Sequence, residues 1–182
     1  AFGASGILSN ITFHAKDSDY EAKSDNPVST PFFLYGSARI SDRWTVGLGV
    51  YTPYGSSSVW DEDWMGRYLI QEISLKAFYF QPTVAFKVND KLGIGAGFVY
   101  VAGSVDLQKA FPPNFGGGTV ELSGKTSNYG FNAGLYYQAT DKLSLGIDYR
   151  SEIMMEMEDG DATFDVASSV NALGVPADNK FS

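Results

Sequence analysis

Three short polar turns, each built around an aspartate, constrain the fold more than any other feature of this sequence. The turns are Ser41-Asp42-Arg43, Asn89-Asp90-Lys91 and Thr140-Asp141-Lys142. On both sides of each turn, apolar residues occupy every second position. Alternation with a period of two around a short turn indicates a β-hairpin, so the sequence predicts three hairpins.

The alternating runs extend this pattern to seven antiparallel strands in up-and-down order. They occupy residues 6–16, 31–41, 43–53, 74–88, 91–107, 120–139 and 142–157. The short turns alternate with long polar connections at residues 17–30, 53–73 and 108–119 and after Glu158. Because an up-and-down order puts all long connections on one side, the pattern is typical of an all-β transmembrane barrel of the outer-membrane type.

Composition argues against several other classes of protein. The 182 residues carry a net charge of −8 and include no cysteine and one histidine. An acidic chain without a basic stripe is not expected to bind nucleic acid. A single histidine gives no support for a zinc site or a Ser-His-Asp triad, so we predict no enzyme activity, no metal site and no cofactor. No apolar run reaches the ~18 residues of a membrane helix, but a barrel strand needs only ~9–11.

Each predicted strand has one apolar face and one mixed face. The apolar positions are Val46, Leu48, Val50, Phe80, Val84, Phe86, Leu143, Leu145 and Ile147. Periodicity alone does not separate a soluble lipocalin-like barrel, with this face inside, from a membrane barrel, with this face in lipid. Aromatic residues near the strand ends, such as Trp44 and Tyr100, favour the membrane. Seven is an odd number of strands, so we expect an open part of a larger barrel, its first and seventh strands unpaired within the chain.

Several motifs resemble the long-chain fatty acid transporter family of outer-membrane proteins, the FadL/TodX type. They are Trp64-Met65-Gly66-Arg67-Tyr68, the run from Gln81-Pro82-Thr83 to Asp90-Lys91-Leu92, and Tyr149-Arg150-Ser151-Glu152. The resemblance implies a barrel of about fourteen strands closed by an N-terminal hatch. Residues 1–182 would supply strands one to seven, and the hatch and the C-terminal strands would lie outside this chain.

The resemblance also implies a function in the outer membrane of a Gram-negative bacterium. The expected activity is uptake of long-chain fatty acids or other hydrophobic compounds, by extracellular capture, passage through the lumen and lateral exit near the third strand. The expected partners are a hydrophobic small molecule and outer-membrane lipid. The alternative is a barrel of the same shape that acts as a protein-binding scaffold in an outer-membrane secretion complex.

Two of the predicted sites follow from the resemblance and one follows from alternation. A lateral gate is expected at Gly47, Gly49, Tyr51, Pro53 and Gly55, where glycines and a proline weaken strand pairing. A capture groove is expected between the loop after strand five and the segment after strand seven, with Lys109, Phe111, Phe115, Leu173 and Val175. Alternation predicts that a mixed-charge set faces the lumen: His14, Arg39, Lys87, Asp148, Arg150 and Glu152.

Overall fold

Long antiparallel strands make up most of the protein in the computed structural model, which describes residues 1–115, 117–156, 159–166 and 178–181. The strands are β1 (Phe2–Ala4), β2 (Thr12–His14), β3 (Glu21–Lys23), β4 (Phe32–Arg39), β5 (Trp44–Tyr51), β6 (Gly55–Val59), β7 (Glu72–Lys87), β8 (Leu92–Ala110), β9 (Gly118–Thr140), β10 (Leu143–Arg150), β11 (Asp159–Val166) and β12 (Asp178–Phe181). A single 3₁₀ turn, Pro113–Phe115, is the only helical element in these described ranges, and it is too short to cross a membrane.

One large sheet, which we call the wall, contains all of these strands except the separate β2–β3 hairpin. Its order is β1-β4-β5-β7-β8-β9-β11-β12, with β6 also on β7 and β10 also on β9. Every pairing is antiparallel. Within the described residues β1 and β12 do not pair with each other, so the wall is an open, curled part of a barrel and the predicted fold class is confirmed.

Two of the wall's strands are each built from two pieces. β5 and β6 pair with successive parts of β7 and together form the third strand of the wall. β10 and β11 pair with successive parts of β9 and form the seventh. In the third strand, 52–54 spans the same length as 77–78 of β7, so one residue is in excess, as in a β-bulge.

The strand boundaries differ from the predicted ones mainly at the two ends of the chain. The first strand begins at Phe2 rather than at residue 6. The second half of the predicted strand, 12–14, is β2, which pairs with β3 in the separate hairpin. The predicted connection 108–119 is shorter, because β8 continues to Ala110 and β9 begins at Gly118. The prediction that the seventh strand lacks a partner is wrong, since β11 pairs with β12.

The two faces of the wall differ as alternation requires. The face with Leu48, Leu145 and Ile147 is exposed, with Ile147 at 73%. The opposite face holds the buried core residues Val99 and Val101, the latter fully buried. We call these the outer face and the inner face. An apolar outer face is what a wall in contact with lipid needs.

Residues 60–71 form a compact turn above the third and fourth strands. The rings of Trp60 and Trp64 stack 4.5 Å apart, and Phe13 of the β2–β3 hairpin meets Trp64 edge-on. Gly66 lies so close to Trp64 that a methyl group there would overlap the indole ring. The motif that carries the family resemblance therefore packs the hairpin of the first two strands against the third.

Candidate functional site

A run of five aromatic rings crosses the inner face from the second strand to the fourth. Neighbouring centroids lie 5.4 Å apart for Phe33–Tyr35, 5.7 Å for Tyr35–Tyr51, 5.4 Å for Tyr51–Tyr79 and 6.1 Å for Tyr79–Tyr54. The rings come together because these residues occupy facing positions on β4, β5 and β7, with Tyr54 in the bulged stretch 52–54. The run gives the lumen an aromatic surface that ends at Tyr54.

Polar side chains adjoin this run on the side of the short turns. The Tyr51 hydroxyl donates to Gln81 Oε1 at 2.6 Å, and Gln81 Nε2 donates to Asn132 Oδ1 at 3.1 Å. Below them lies a cavity of about 560 Å³ whose lining includes the charged residues Arg39, Lys87 and Asp148. The inner face is therefore aromatic at mid-height and charged towards the turns.

Two ion pairs involve charged residues of the inner face. Arg150 Nε lies 3.3 Å from Asp148 Oδ2, and Lys87 Nζ lies 2.6 Å from Asp90 Oδ1. The hydrogen bond and the charge of Lys87 hold the pKa of Asp90, which lies in a turn outside the wall, below its usual range. No cluster of three metal-ligating side chains occurs in the described ranges.

An opening interrupts the wall between the second and third strands. The ladder between β4 and β5 is complete from Thr45 to Tyr51, and Thr52 N still donates to Phe32 O at 3.1 Å. A backbone hydrogen bond to the chain between β3 and β4 occurs again at Val59, whose carbonyl accepts from Asp25 N at 2.9 Å. Between these points no backbone hydrogen bond joins 53–58 to 27–31, both of which the structure describes in full.

Prolines account for much of this break. Pro27 and Pro31 border the opening on one side and Pro53 borders it on the other. None of them has a backbone N–H, so none can donate to a ladder. The opening is a cavity of about 650 Å³, and apolar groups of Ile7, Val28 and Leu75 contribute to its lining.

The residues predicted for a lateral gate lie on both sides of the point where pairing ends. Gly47, Gly49 and Tyr51 belong to the unbroken ladder, and backbone hydrogen bonds to β4 are lost only after Thr52, so a gate formed by these residues stays a prediction. Pro53 and Gly55 line the opening. Gly49 has a different role, because a Cβ there would come within 2.9 Å of the Tyr35 ring.

The residues predicted for a capture groove are only partly described. Lys109 lies within β8, opposite Val120, and not in a loop. Phe111 follows the strand and its N–H bonds to Gly118 O at 2.8 Å. The Phe115 backbone belongs to the 3₁₀ turn, while Leu173 and Val175 fall outside the described residues. The groove therefore stays a prediction.

Two of the residues predicted for the lumen lie outside the regular strands of the wall. His14 is in the β2–β3 hairpin, 3.7 Å from Glu21, and not in the wall. Glu152 lies after the end of β10, where the alternation of faces stops. The next residue, Ile153, packs against the inner-face core. Sequence reasoning also missed Pro27, Pro31 and Tyr54. The two prolines lie in or beside the predicted connection 17–30, although their missing N–H groups are a usable signal.

Comparisons with known proteins agree with this geometry. A family model described as outer membrane protein transport protein (OMPP1/FadL/TodX) matches residues 4–180. A putative outer membrane protein of Neisseria meningitidis serogroup B is 28% identical over 153 residues, which cover 71% of this chain and 33% of that protein.

Solved structures share the fold at lower identity. A Pseudomonas aeruginosa FadL homologue superposes with a TM-score of 0.66 at 21% identity, covering 79% of this chain and 35% of that one. The P. putida toluene transporter TodX gives a TM-score of 0.68 at 19% identity, covering 91% and 51%. The chain thus spans a third to a half of the length of these relatives. It belongs to the outer membrane protein transport family of the OMPP1/FadL/TodX type, whose barrels lie in the outer membrane of Gram-negative bacteria.

Proposed function

We propose that this chain forms part of the wall of a channel that takes up hydrophobic small molecules and releases them sideways into the membrane. The exit is the opening between 27–31 and 53–58. The observation that carries the proposal is the continuity of the aromatic run with this opening, because Tyr54 meets the Tyr79 ring edge-on and also lines the opening.

Lateral release is favoured by the energetics of an apolar cargo. Moving apolar groups out of water is favourable by about 0.8 kcal/mol per CH₂. A molecule that leaves through the opening enters lipid and keeps that free energy, whereas release into periplasmic water would forfeit it. One structural relative is named a toluene transporter, and we propose that this channel too accepts hydrophobic compounds, with monoaromatic rings and fatty acids as the two classes to compare.

The test closes the opening with a cleavable crosslink in the full-length protein. This chain contains no cysteine. Val28→Cys and Ser56→Cys, which line the opening from its 27–31 side and its 53–58 side, are joined with a disulfide-containing bismaleimide. Uptake of labelled toluene and of labelled oleate by intact cells should stop and should return when a reductant cleaves the linker.

A matched control uses the unbroken part of the same ladder. At Gly47 a Cβ would lie 4.0 Å from Ser37 Cβ, so Ser37→Cys with Gly47→Cys joins strands that are already paired. This pair should leave uptake unchanged. Unimpaired uptake with the opening crosslinked would contradict lateral exit and favour the protein-binding scaffold.

A further inference from the structure

A second irregularity of the wall lies in the seventh strand, between β10 and β11. Arg150 pairs with Asn132 and Asp159 pairs with Lys125. Residues 151–158 therefore span the same length as 126–131 of β9, an excess of two residues. We call 151–156, which the structure describes, the inward segment.

Its side chains show that this excess length folds towards the lumen. Ile153 packs against the inner-face core of Ala77, Val99 and Val101. Met155 Cε occupies the space that a Cβ at Gly103, another inner-face position, would need. Glycine at 103 and 130 makes room for the segment, because a Cβ at Gly130 would meet Ile153 at 2.6 Å.

Side chains of β9 hold the inward segment where backbone pairing is lost. Asn128 Nδ2 donates to Met154 O at 2.5 Å, and Thr126 Oγ1 donates to Glu156 O at 2.6 Å. These bonds fix the main chain of the segment and leave the Met155 side chain turned to the lumen. The main chain of the inward segment is thus held by hydrogen bonds at Met154 and at Glu156, on either side of Met155.

Met155 forms one side of an apolar cavity of about 300 Å³. Tyr54, Ala77 and Val105 form other sides, and Tyr54, Leu75 and Ala77 also line the opening in the wall. A dry apolar cavity of about 150 Å³ suffices to hold benzene. A cavity of this size and lining suits an apolar molecule of one or two rings, and a flexible thioether adapts to such shapes.

We propose that this cavity is the last binding site before the exit, that it takes one- or two-ring apolar molecules, and that Met155 sets the largest molecule it accepts. The proposal rests on the proposed channel function and names the ligand class of its exit. Met155 is a specificity-determining residue in this proposal, because it and Tyr54 both line the space that a departing molecule would occupy.

The test measures binding of toluene and of naphthalene to purified full-length protein by equilibrium dialysis. Met155→Ala should raise the naphthalene-to-toluene affinity ratio by about tenfold, and Met155→Trp should lower it by a similar factor, since filling or emptying an apolar pocket changes discrimination on that scale. Met154→Ala is the matched control, because Met154 is 58% exposed and does not line the cavity. Resistance to SDS at room temperature checks that each barrel is folded.

An unchanged ratio in both Met155 variants would overturn the proposal, as would a wild-type protein that binds neither hydrocarbon. The crosslink across the opening separates this failure from failure of the exit. If the crosslink stops uptake while the naphthalene-to-toluene affinity ratio is the same in the Met155 variants and the wild type, the proposed exit is supported and the Met155 site is contradicted. If the affinity ratio changes in the Met155 variants while the crosslinked protein still takes up toluene, the Met155 site is supported and the exit lies elsewhere.

Discussion

The hydroxyl of Tyr51 donates a 2.6 Å hydrogen bond to the side-chain oxygen of Gln81 across the β5–β7 pair. Tyr51 is 8% exposed although its face looks into the lumen, because Tyr35 and Tyr79 cover its two sides. Gln81 passes the connection on to Asn132 of β9. The hydrogen-bonded side chains of Tyr51, Gln81 and Asn132 lie between the aromatic part of the inner face and its charged part.

Removing the Tyr51 hydroxyl should weaken the wall. Tyr51→Phe keeps the ring contacts and leaves Gln81 Oε1 without its donor, so we expect a loss of about 1–2 kcal/mol in the free energy of unfolding. Urea unfolding in lipid vesicles, followed by tryptophan fluorescence, measures the change. Tyr129→Phe, at a residue 69% exposed on the outer face, should have no comparable effect. Equal losses in the two variants would contradict this role for the Tyr51–Gln81 bond.

Charge on the outer face should be costly. Leu48→Arg or Leu145→Arg should lower the free energy of unfolding by about 2–4 kcal/mol if these residues lie near the bilayer midplane. Both side chains are 52% exposed in the isolated wall, where lipid would contact them. Thr83→Arg, on the inner face and lining the cavity that Arg39, Lys87 and Asp148 also line, should cost much less in the same unfolding measurement. A larger loss for Thr83→Arg than for Leu48→Arg would mean that the faces are assigned the wrong way round.

The Lys87–Asp90 pair should respond to acid. Because the pKa of Asp90 is lowered in the folded protein, the stability that the pair contributes is present above the ordinary carboxyl pKa. It is lost as the pH falls through the lowered value. Carbon NMR titration of Asp90 should show its pKa returning to the usual range in Lys87→Met. Lys91→Met removes a nearby charge but not the hydrogen bond and should preserve most of the shift.

Adding a methyl group at Gly66 should disturb the turn of residues 60–71. In Gly66→Ala the new Cβ overlaps the Trp64 ring, so the Trp60–Trp64 stack and its contact with Phe13 should open. Trypsin should then cut faster after Arg67, as gel electrophoresis would show. Gly36→Ala is a suitable control, since nothing lies within 4 Å of a Cβ there. Trypsin cleavage as slow as in the wild type would show that the turn tolerates the extra atom.

The central strands could be predicted from the sequence because their alternation is regular and their turns are short. The three Asp turns do separate the paired strands β4–β5, β7–β8 and β9–β10. The first strand was misplaced because Ser9 and Asn10 interrupt the alternation there. The inward segment escaped notice because Ile153, Met154 and Met155 are apolar in succession, so period two gives no face for them. The glycines of β5 do not mark where pairing ends, because the ladder is intact along β5 and the opening begins only at Pro53.

The two irregular strands differ in how they would tolerate insertions and deletions during evolution. The third strand has one residue in excess, so odd-numbered residues of β5 and even-numbered residues of β6 face inwards. The seventh strand has two in excess, and even-numbered residues face inwards in both β10 and β11. Losing two residues from 151–158 would straighten the strand and keep every side chain of β11 on its face. Losing one would turn buried Gly160 and Ala162 outwards, so lengths in this segment should vary in steps of two among related proteins.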